Sequence, residues 1–391
     1  MITIDVAQRV QQLPSYLFAE IEQKMDEARS RGVEILNLGI GDPDLPTPEF
    51  IVERLCWEAR RQENHQYPSY RGLKAFREAV TQWYARRFGV TFDPGGEVVS
   101  LIGSKEGIAH FPLCVINPGD LVLASDPGYP VYKIGTMLAG GNSVALPLLR
   151  KNAFLPDFSM FPESILERTR LIFLNYPNNP TAAVASIDFF REVIARAKTY
   201  DWIVAHDLAY SEVSYDGYRA PSIFQVEGAR DVAIEFHSLS KTFNMAGWRI
   251  GFAIGNARLV EVLGRIKTNI DSGIFNAVQW AGAEALSRVD EVLEANLPIY
   301  TRRRNLVVNT FQEMGFELEL PKASFYIWIP VPGGYDSRSF TSYLLERSGV
   351  VVAPGVGFGK YGEGYVRISL TSRDEVLVQA MERIRTGLRG G

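Results

Sequence analysis

Seven short apolar runs, each followed by a longer stretch of mixed polarity, constrain the fold of this chain more than anything else in it. They are "EVVSLIG" (97–103), "GDLVLASDP" (119–127), "NSVALPLL" (142–149), "TRLIFLNYP" (169–177), "DWIVAHD" (201–207), "VAIEFHS" (232–238) and "RIGFAIG" (249–255). Most lack the polar alternation of a strand with one wet face, so they read as strands buried on both sides. The stretches between them have helical spacing. Together they predict βαβ units on a mostly parallel sheet. Upstream, 17–30 is expected to be a helix ending at "RG", and 48–90 is helical apart from "NHQYPSYRG". Past residue 280 the pattern changes to a long helical stretch (281–315), "FELEL", "SFYIWIP", a helix near 337–348, "VVVAPG", "YVRISL" and a last helix over 373–388. The expectation is an α/β chain with a large domain over 44–280. Residues 1–43 and 281–391 form a smaller α+β domain.

Composition removes several function classes. With 46% hydrophobic and 22% charged residues, the 391-residue chain is an ordinary globular one. Its net charge of −4 lacks the basic excess of nucleic-acid binders. Two cysteines, Cys56 and Cys114, without a CxxC, form neither a disulfide framework nor a zinc ribbon, which fits a reducing compartment. The N-terminus carries acids and glutamines where a signal peptide needs a continuous apolar stretch. No apolar run approaches the ~20 residues of a membrane span. A soluble cytoplasmic protein is expected.

The polar residues that stand out fall just past the apolar runs. "HSLSKTFNMAGWRIGF" (237–252) holds Lys241 among serines and glycines, with Arg249 eight residues on. "NYPNNPTA" (175–182) is a rigid turn, "HDLAYSE" (206–212) sets Asp207 three residues before Tyr210, "GSKEGI" (103–108) opens a helix, and "DPGYPVY" (126–132) presents Tyr129. Taken singly, each has a plain structural reading as a surface turn or a helix cap. Taken together, they bring a lysine, an aspartate, tyrosines, an asparagine, serines and an arginine to the edge where open α/β sheets bind ligands. Pyridoxal phosphate chemistry needs that set. The cofactor is an electron sink held covalently by a lysine, with an acidic partner for its ring nitrogen. Lys241 supplies the amine and Asp207 the acid. Asn179 and Tyr210 suit the ring's phenolic oxygen. Ser104, Ser238 and Arg249 suit the phosphate, the arginine through its planar fork.

The "SLSK…GWRIG" signature, with Asn-Pro-Thr and Asp-x-x-Tyr upstream, resembles the fold-type I aminotransferases of class I/II over essentially the whole chain. Stretches such as "LNLGIGDPDLPTP", "LIGSKEGIAH", "LIFLNYPNNPT" and "APGVGFGKYGEGYVRISL" are similar to the subgroup acting on LL-2,6-diaminopimelate. The resemblance implies that Lys241 is catalytic, forming the covalent link and shuttling the proton. It further implies that Ser104, Lys105, Tyr129, Asn179, Asp207, Tyr210, Ser238, Ser240 and Arg249 contact the cofactor. Tyr67 is implied to reach the phosphate of a second subunit, making a homodimer. Tyr16, Gly41, Asn276 and Arg367 are implied to meet the substrate, with Arg367 pairing its α-carboxylate. The implied reaction moves an amino group from diaminopimelate to 2-oxoglutarate on the way to lysine. Two departures stand out. Ala182 replaces a glycine. Leu208 replaces an asparagine and is expected to remove a polar group from beside the ring.

Other features have plainer readings. "GVGFGKYG" (355–362) precedes a strand rather than a helix, so it is no nucleotide loop. The four histidines share no ligand spacing, and no metal is expected. "RRR" (302–304) reads as a solvated helix face or an inter-domain contact. The aromatics of "SFYIW" read as strand core. The alternatives left open are an aminotransferase for alanine, aspartate or aromatic acids, and a lyase on the same fold. Against the aspartate type, "TNIDSGIFNAVQ" (268–279) contains no arginine for a distal carboxylate.

Overall fold

The computed structural model describes residues 4–13 and 17–389. In chain order its strands are β1 (Leu36–Asn37), β2 (Val98–Leu101), β3 (Leu121–Asp126), β4 (Asn142–Pro147), β5 (Thr169–Asn175), β6 (Ile203–Asp207), β7 (Ala233–Ser238), β8 (Gly251–Gly255), β9 (Tyr326–Pro330), β10 (Val350–Val351), β11 (Ala353–Pro354) and β12 (Tyr365–Ser369). All seven apolar runs form strands of one sheet, in the order β2-β8-β7-β6-β5-β3-β4. Only β8 runs against the other six. Helices cover both faces, which is why β2, β3, β6 and β8 are buried along their whole length. On one face Ile172, Leu174, Val204 and Phe252 pack with Phe76, Tyr84 and Phe190. On the other, Phe173, Ala205 and Phe236 pack with Ile108, Phe111, Tyr132 and Leu263.

A second core gathers around the antiparallel sheet β11-β12-β9. It takes Val307 and Phe311 from helix Val289–Glu313, Leu344 from Ser337–Ser348, and Leu377 and Ile384 from Asp374–Arg389. The N-terminal segment joins here, since β1 pairs in parallel with β10. From β1 the chain runs as a strap toward the large sheet. Ser369 N–H donates to the Leu38 carbonyl (2.7 Å) and Thr371 Oγ1 to that of Ile40 (3.1 Å). Thr47 Oγ1 then donates to the Asn244 carbonyl at 2.7 Å.

In the triple arginine Arg302 keeps a solvated face, whereas Arg303 and Arg304 turn inward and hold this arrangement together. Arg303 is buried and grips Asp44 of the strap with both terminal nitrogens (2.7 and 2.9 Å) and Asp374 with Nε (2.7 Å). Arg304, also buried, reaches Asp216 at 2.7 Å. Bidentate pairs of this kind fix geometry more firmly than single contacts.

Two expectations need correction. "FELEL" alternates as a strand should but has no neighbouring strand to pair with. Its Leu318 carbonyl is taken by the Gln312 side chain (2.8 Å), and 316–320 is irregular. The helical stretch expected over 281–315 is two helices, Asn276–Ser287 and Val289–Glu313, broken at Arg288. Asp290 and Glu291 in the first turn of the second helix complement its positive end.

At Ala182 the turn after β5 places a non-glycine residue at φ 58°, its N–H donating to the Asn178 carbonyl at 2.9 Å. A Cβ there meets steric cost that glycine avoids. Ala182→Gly should therefore raise stability by up to about 1 kcal/mol, and Ala182→Val should lower it by about 2 kcal/mol, since branching worsens the clash. Thermal unfolding of both variants beside the parent measures this. A Val variant as stable as the parent contradicts it.

Candidate active site

Four parallel strands end side by side, and the turns after them carry the polar residues. Asn175 closes β5 and organises its surroundings. Its Nδ2 donates to the Asp207 carbonyl (2.7 Å), and its Oδ1 accepts from the Asn179 N–H (2.7 Å). Asp207 closes β6 and is buried. Tyr132 Oη donates to its Oδ2 at 2.8 Å, and among the described residues its Oδ1 has no partner. Burial raises the carboxyl to about 6, against the pull of the Tyr132 hydrogen bond.

β7 ends in Ser238, whose Oγ accepts from the Ser240 N–H (3.2 Å) and caps the turn bearing Lys241. Lys241 Nζ donates to the Gly41 carbonyl at 3.2 Å and lies 5.8 Å from the Phe325 ring centre. Arg249, at φ 54°, lies over Gly103. A Cβ on that glycine would come within 2.4 Å of the guanidinium, so only glycine allows the approach. The arginine thus stands at the N-terminus of helix Ser104–Val115, whose first N–H groups add to a positive corner suited to an anion. Lys105 is exposed on the same first turn. Lys267 anchors this helix. Its buried ammonium lies 2.9 Å from both Glu106 and Asp271, so the cluster of Glu106, His110 and Asp271 already holds a cation of the chain's own.

Above the sheet edge stands Arg367, from β12. Its Nη1 donates to Asn179 Oδ1 (2.8 Å) and its Nη2 to the Gly39 carbonyl (2.6 Å), while Nε is buried without a partner among the described residues. Tyr326 and Phe358 flank the guanidinium at 4.1 and 4.7 Å. Tyr210 Oη lies 3.4 Å from Tyr326 Oη, and burial first, then that neighbour, pushes its phenol well above the ordinary value. Tyr129 packs edge-on against Tyr132 at 5.8 Å. A Cβ on Gly41 would overlap Tyr326 Oη at 2.0 Å, so the strap closes over this ring only because residue 41 is glycine.

The structure thus gathers Gly41, Ser104, Asn179, Asp207, Tyr210, Ser238, Ser240, Lys241, Arg249 and Arg367 around one sheet edge. Tyr67 is 88% exposed, beside the point where Pro68 meets Gly273, and Asn276 opens the helix Asn276–Ser287. Tyr16 lies outside the described residues. Leu208 is corrected. Its side chain is buried in the core on the sheet face opposite Asp207, so it takes nothing from beside the site. Tyr132, Asn175, Tyr326 and Phe358 were missed. Tyr132 alone had a signal, standing three residues after Tyr129 at the start of helix Val131–Leu138.

This arrangement, with a lysine amine, a buried carboxylate, an anion corner and a buried arginine above them, is that of an enzyme of amino-group chemistry. The comparisons agree, and the chain belongs to the aminotransferases of class I and II, whose family model matches residues 33–384. It is 56% identical over 379 residues, 97% of either chain, to the LL-diaminopimelate aminotransferase of Moorella thermoacetica. Among solved structures it is similar to apo-BacF of Bacillus subtilis (38% identity, 98% of both chains, TM-score 0.93). It also resembles a double mutant of Thermus thermophilus aspartate aminotransferase (28% identity, 98% of this chain and 100% of that one, TM-score 0.92).

Asp207 yields a test in the ligand-free protein. A carboxyl raised to about 6 binds its proton more tightly folded than unfolded, so the stability it contributes at low pH is lost as pH rises through that value. Asp207→Asn should stabilise the ligand-free protein at pH 8, by up to roughly 3 kcal/mol, and leave it unchanged at pH 4. Melting curves at the two pH values check this. Equal shifts at both would show that the carboxylate is not strained by burial.

Proposed function

We propose that the chain is a pyridoxal-phosphate-dependent aminotransferase of LL-2,6-diaminopimelate, forming tetrahydrodipicolinate and passing the amino group to 2-oxoglutarate to give glutamate. The observation that carries the cofactor reading is Asp207 Oδ1. It is a buried carboxylate oxygen without a partner at the floor of the site, and a protonated ring nitrogen satisfies both its charge and its hydrogen bond. The anion corner fits the phosphate, with Ser104, Ser238, Ser240 and Arg249 as its donors and Lys105 beside them. Tyr129 and Tyr210 would hold the ring, and Asn179 would donate to its phenolic oxygen. Bound there, pyridoxal phosphate supplies an electron-withdrawing ring that stabilises the carbanion left by loss of the substrate's α-proton. Lys241 holds the cofactor covalently and then carries that proton. The Gly41 carbonyl keeps its amine over the site.

Arg367 supports the substrate reading. Its flat fork between Tyr326 and Phe358 is shaped for the α-carboxylate of an amino acid. The distal end of diaminopimelate is zwitterionic, so a lone arginine would repel its ammonium. Polar groups serve better, and Tyr16, Lys105 and Asn276 are the candidates. The fold alone does not choose the substrate, since the aspartate enzyme shares it. The 56% identity to the diaminopimelate enzyme of Moorella thermoacetica is what favours this donor.

A homodimer in the cytoplasm, built from bodies of 44–280 and of 1–43 with 281–391, completes the reading. Tyr67, Tyr70, Ile270 and Phe275 are 88, 49, 51 and 42% exposed, and the first and last of them flank the meeting of Pro68 and Gly273. Apolar groups exposed together mark an association surface. Sedimentation should give twice the chain mass, and a monomer at assay concentration removes the proposal.

Substrate choice is tested by stopped-flow half-reactions of the loaded enzyme with LL- and meso-diaminopimelate, alanine and aspartate. A site that hydrogen-bonds a distal group rejects analogues lacking it by about 10⁴. The LL isomer should react fastest by far and alanine and aspartate hardly at all, with Lys241→Ala silent throughout. Equal rates for alanine or aspartate would reduce the assignment to an aminotransferase of another donor.

A further inference from the structure

The glycine-rich segment 355–362 forms two short turns, Gly355–Phe358 and Lys360–Gly362, just before β12, the strand that bears Arg367. Its glycines are used up in contacts within the chain. A Cβ on Gly355 would overlap the Gly362 carbonyl oxygen, and one on Gly362 would overlap that of Gly355. Gly359, at φ 132°, lies against the Asp126 carboxylate, which a Cβ there would strike. The segment is thus pressed onto the end of β3.

Asp126 closes β3 and is buried. Its two oxygens serve different masters. Oδ2 accepts from Lys133 Nζ at 2.6 Å, and Lys133 stands on the helix Val131–Leu138 that follows β3, so this bond fixes the carboxylate within its own part of the fold. Oδ1 reaches out and accepts from the Tyr361 N–H at 2.9 Å. Two residues past Asp126, the Gly128 N–H donates to the Phe358 carbonyl at 2.8 Å. The end of β3 therefore grips the segment at residues 358 and 361. On its other side the segment is tied to the second core, where the Ser337 N–H donates to Glu363 Oε1 at 2.7 Å. The ring of Phe358, between these ties, lies 4.7 Å from the Arg367 guanidinium, with Tyr326 of β9 also against it. A planar group packed between two rings keeps its place only if both rings do. Tyr326 is fixed by its sheet. Phe358 is in a turn and depends on the ties.

We propose that Asp126 is a positioning residue for the substrate: anchored by Lys133, it tethers the segment 355–362 through the Tyr361 N–H and so keeps Phe358 against Arg367. That role rests on the reading of Arg367 as the site of the α-carboxylate. A buried carboxylate paired with a neighbouring lysine alone is plain scaffold. Here the second oxygen spans 235 positions to the segment whose ring packs on the arginine, and a glycine at 359 is what lets the carboxylate come so close.

Two variants separate the tether from mere packing. Asp126→Ala removes the acceptor, whereas Asp126→Asn keeps an oxygen for the Tyr361 N–H. Losing one hydrogen bond to a charged group costs about tenfold in an equilibrium. In half-reactions of the loaded enzyme, Asp126→Ala should therefore bind LL-diaminopimelate about tenfold more weakly at an unchanged limiting rate, the mark of binding lost equally from ground and transition states. 2-Oxoglutarate also carries a carboxylate beside its reacting carbon, and its affinity should fall alike. Asp126→Asn should recover most of both affinities. Unaltered affinity in Asp126→Ala, equal losses in the two variants, or a fall in the limiting rate alone overturns the role. Hydrogen exchange in the ligand-free parent decides the tether even if Asp126→Ala does not fold. The Tyr361 amide should exchange slowly, and a freely exchanging amide overturns the tether. A parent that reacts with another amino acid instead of diaminopimelate removes the substrate reading alone, and the same comparison of variants on that donor then decides the role of Asp126.

Discussion

A buried carboxylate with one unpaired oxygen is the constraint around which the rest of this structure is arranged. Taking Asp207 out of water is unfavourable, and the fold offsets that only in part, with the Tyr132 hydroxyl on Oδ2. The strain is local because the surroundings are rigid. Asn175 ties the Asp207 carbonyl to the Asn179 turn, and Leu208 extends the ladder through its N–H to the Phe236 carbonyl (2.9 Å). The side chain therefore cannot turn outward to find water without breaking the ends of β5, β6 and β7 together. Strain of this kind persists where the scaffold over-determines it, and it is relieved by a cationic partner.

The sequence predicts the sheet well, because a parallel sheet covered on both faces leaves one mark on every strand, a short run with few polar residues. It also places Lys241, Asp207, Asn179 and Arg249 at strand ends, because polar residues directly after such runs have few other places to be. The rest depends on tertiary distance. Tyr132 reaches Asp207 across 75 positions and Arg367 reaches Asn179 across 188, and no local pattern encodes either contact. Phe316–Leu320 shows the converse, with a correct strand alternation but no neighbouring strand for a ladder. Leu208 misled for another reason. Adjacency in sequence suggested adjacency to the ring, yet on a strand the next residue faces the other way.

The triple arginine illustrates how charge patterns mislead. Three like charges on a helix usually face solvent, but Arg303 and Arg304 are buried because each finds a carboxylate far along the chain, Asp44 or Asp374 for one and Asp216 for the other. Breaking one partner of such a pair leaves the other charge buried and unpaired, which is more damaging than never having had the pair. The pairing therefore specifies where the strap over the site lies.

That strap links the two halves of the chemistry. Two cations of the site, Lys241 and Arg367, donate to carbonyls two residues apart on it, Gly41 and Gly39. Each terminal nitrogen of Arg367 carries a second N–H beyond the one given to the Gly39 carbonyl or to Asn179 Oδ1, so a carboxylate can pair with the fork while both bonds stay. Nε, buried and without a partner among the described residues, is a further donor. Residue 39 is tied to Arg367 and residue 41 carries the acceptor for Lys241. Asp44, fixed by Arg303, limits how far the strap can move. The Arg367 guanidinium and the Lys241 amine are linked through the three residues 39–41 of the strap, so a displacement at one end bears directly on the other.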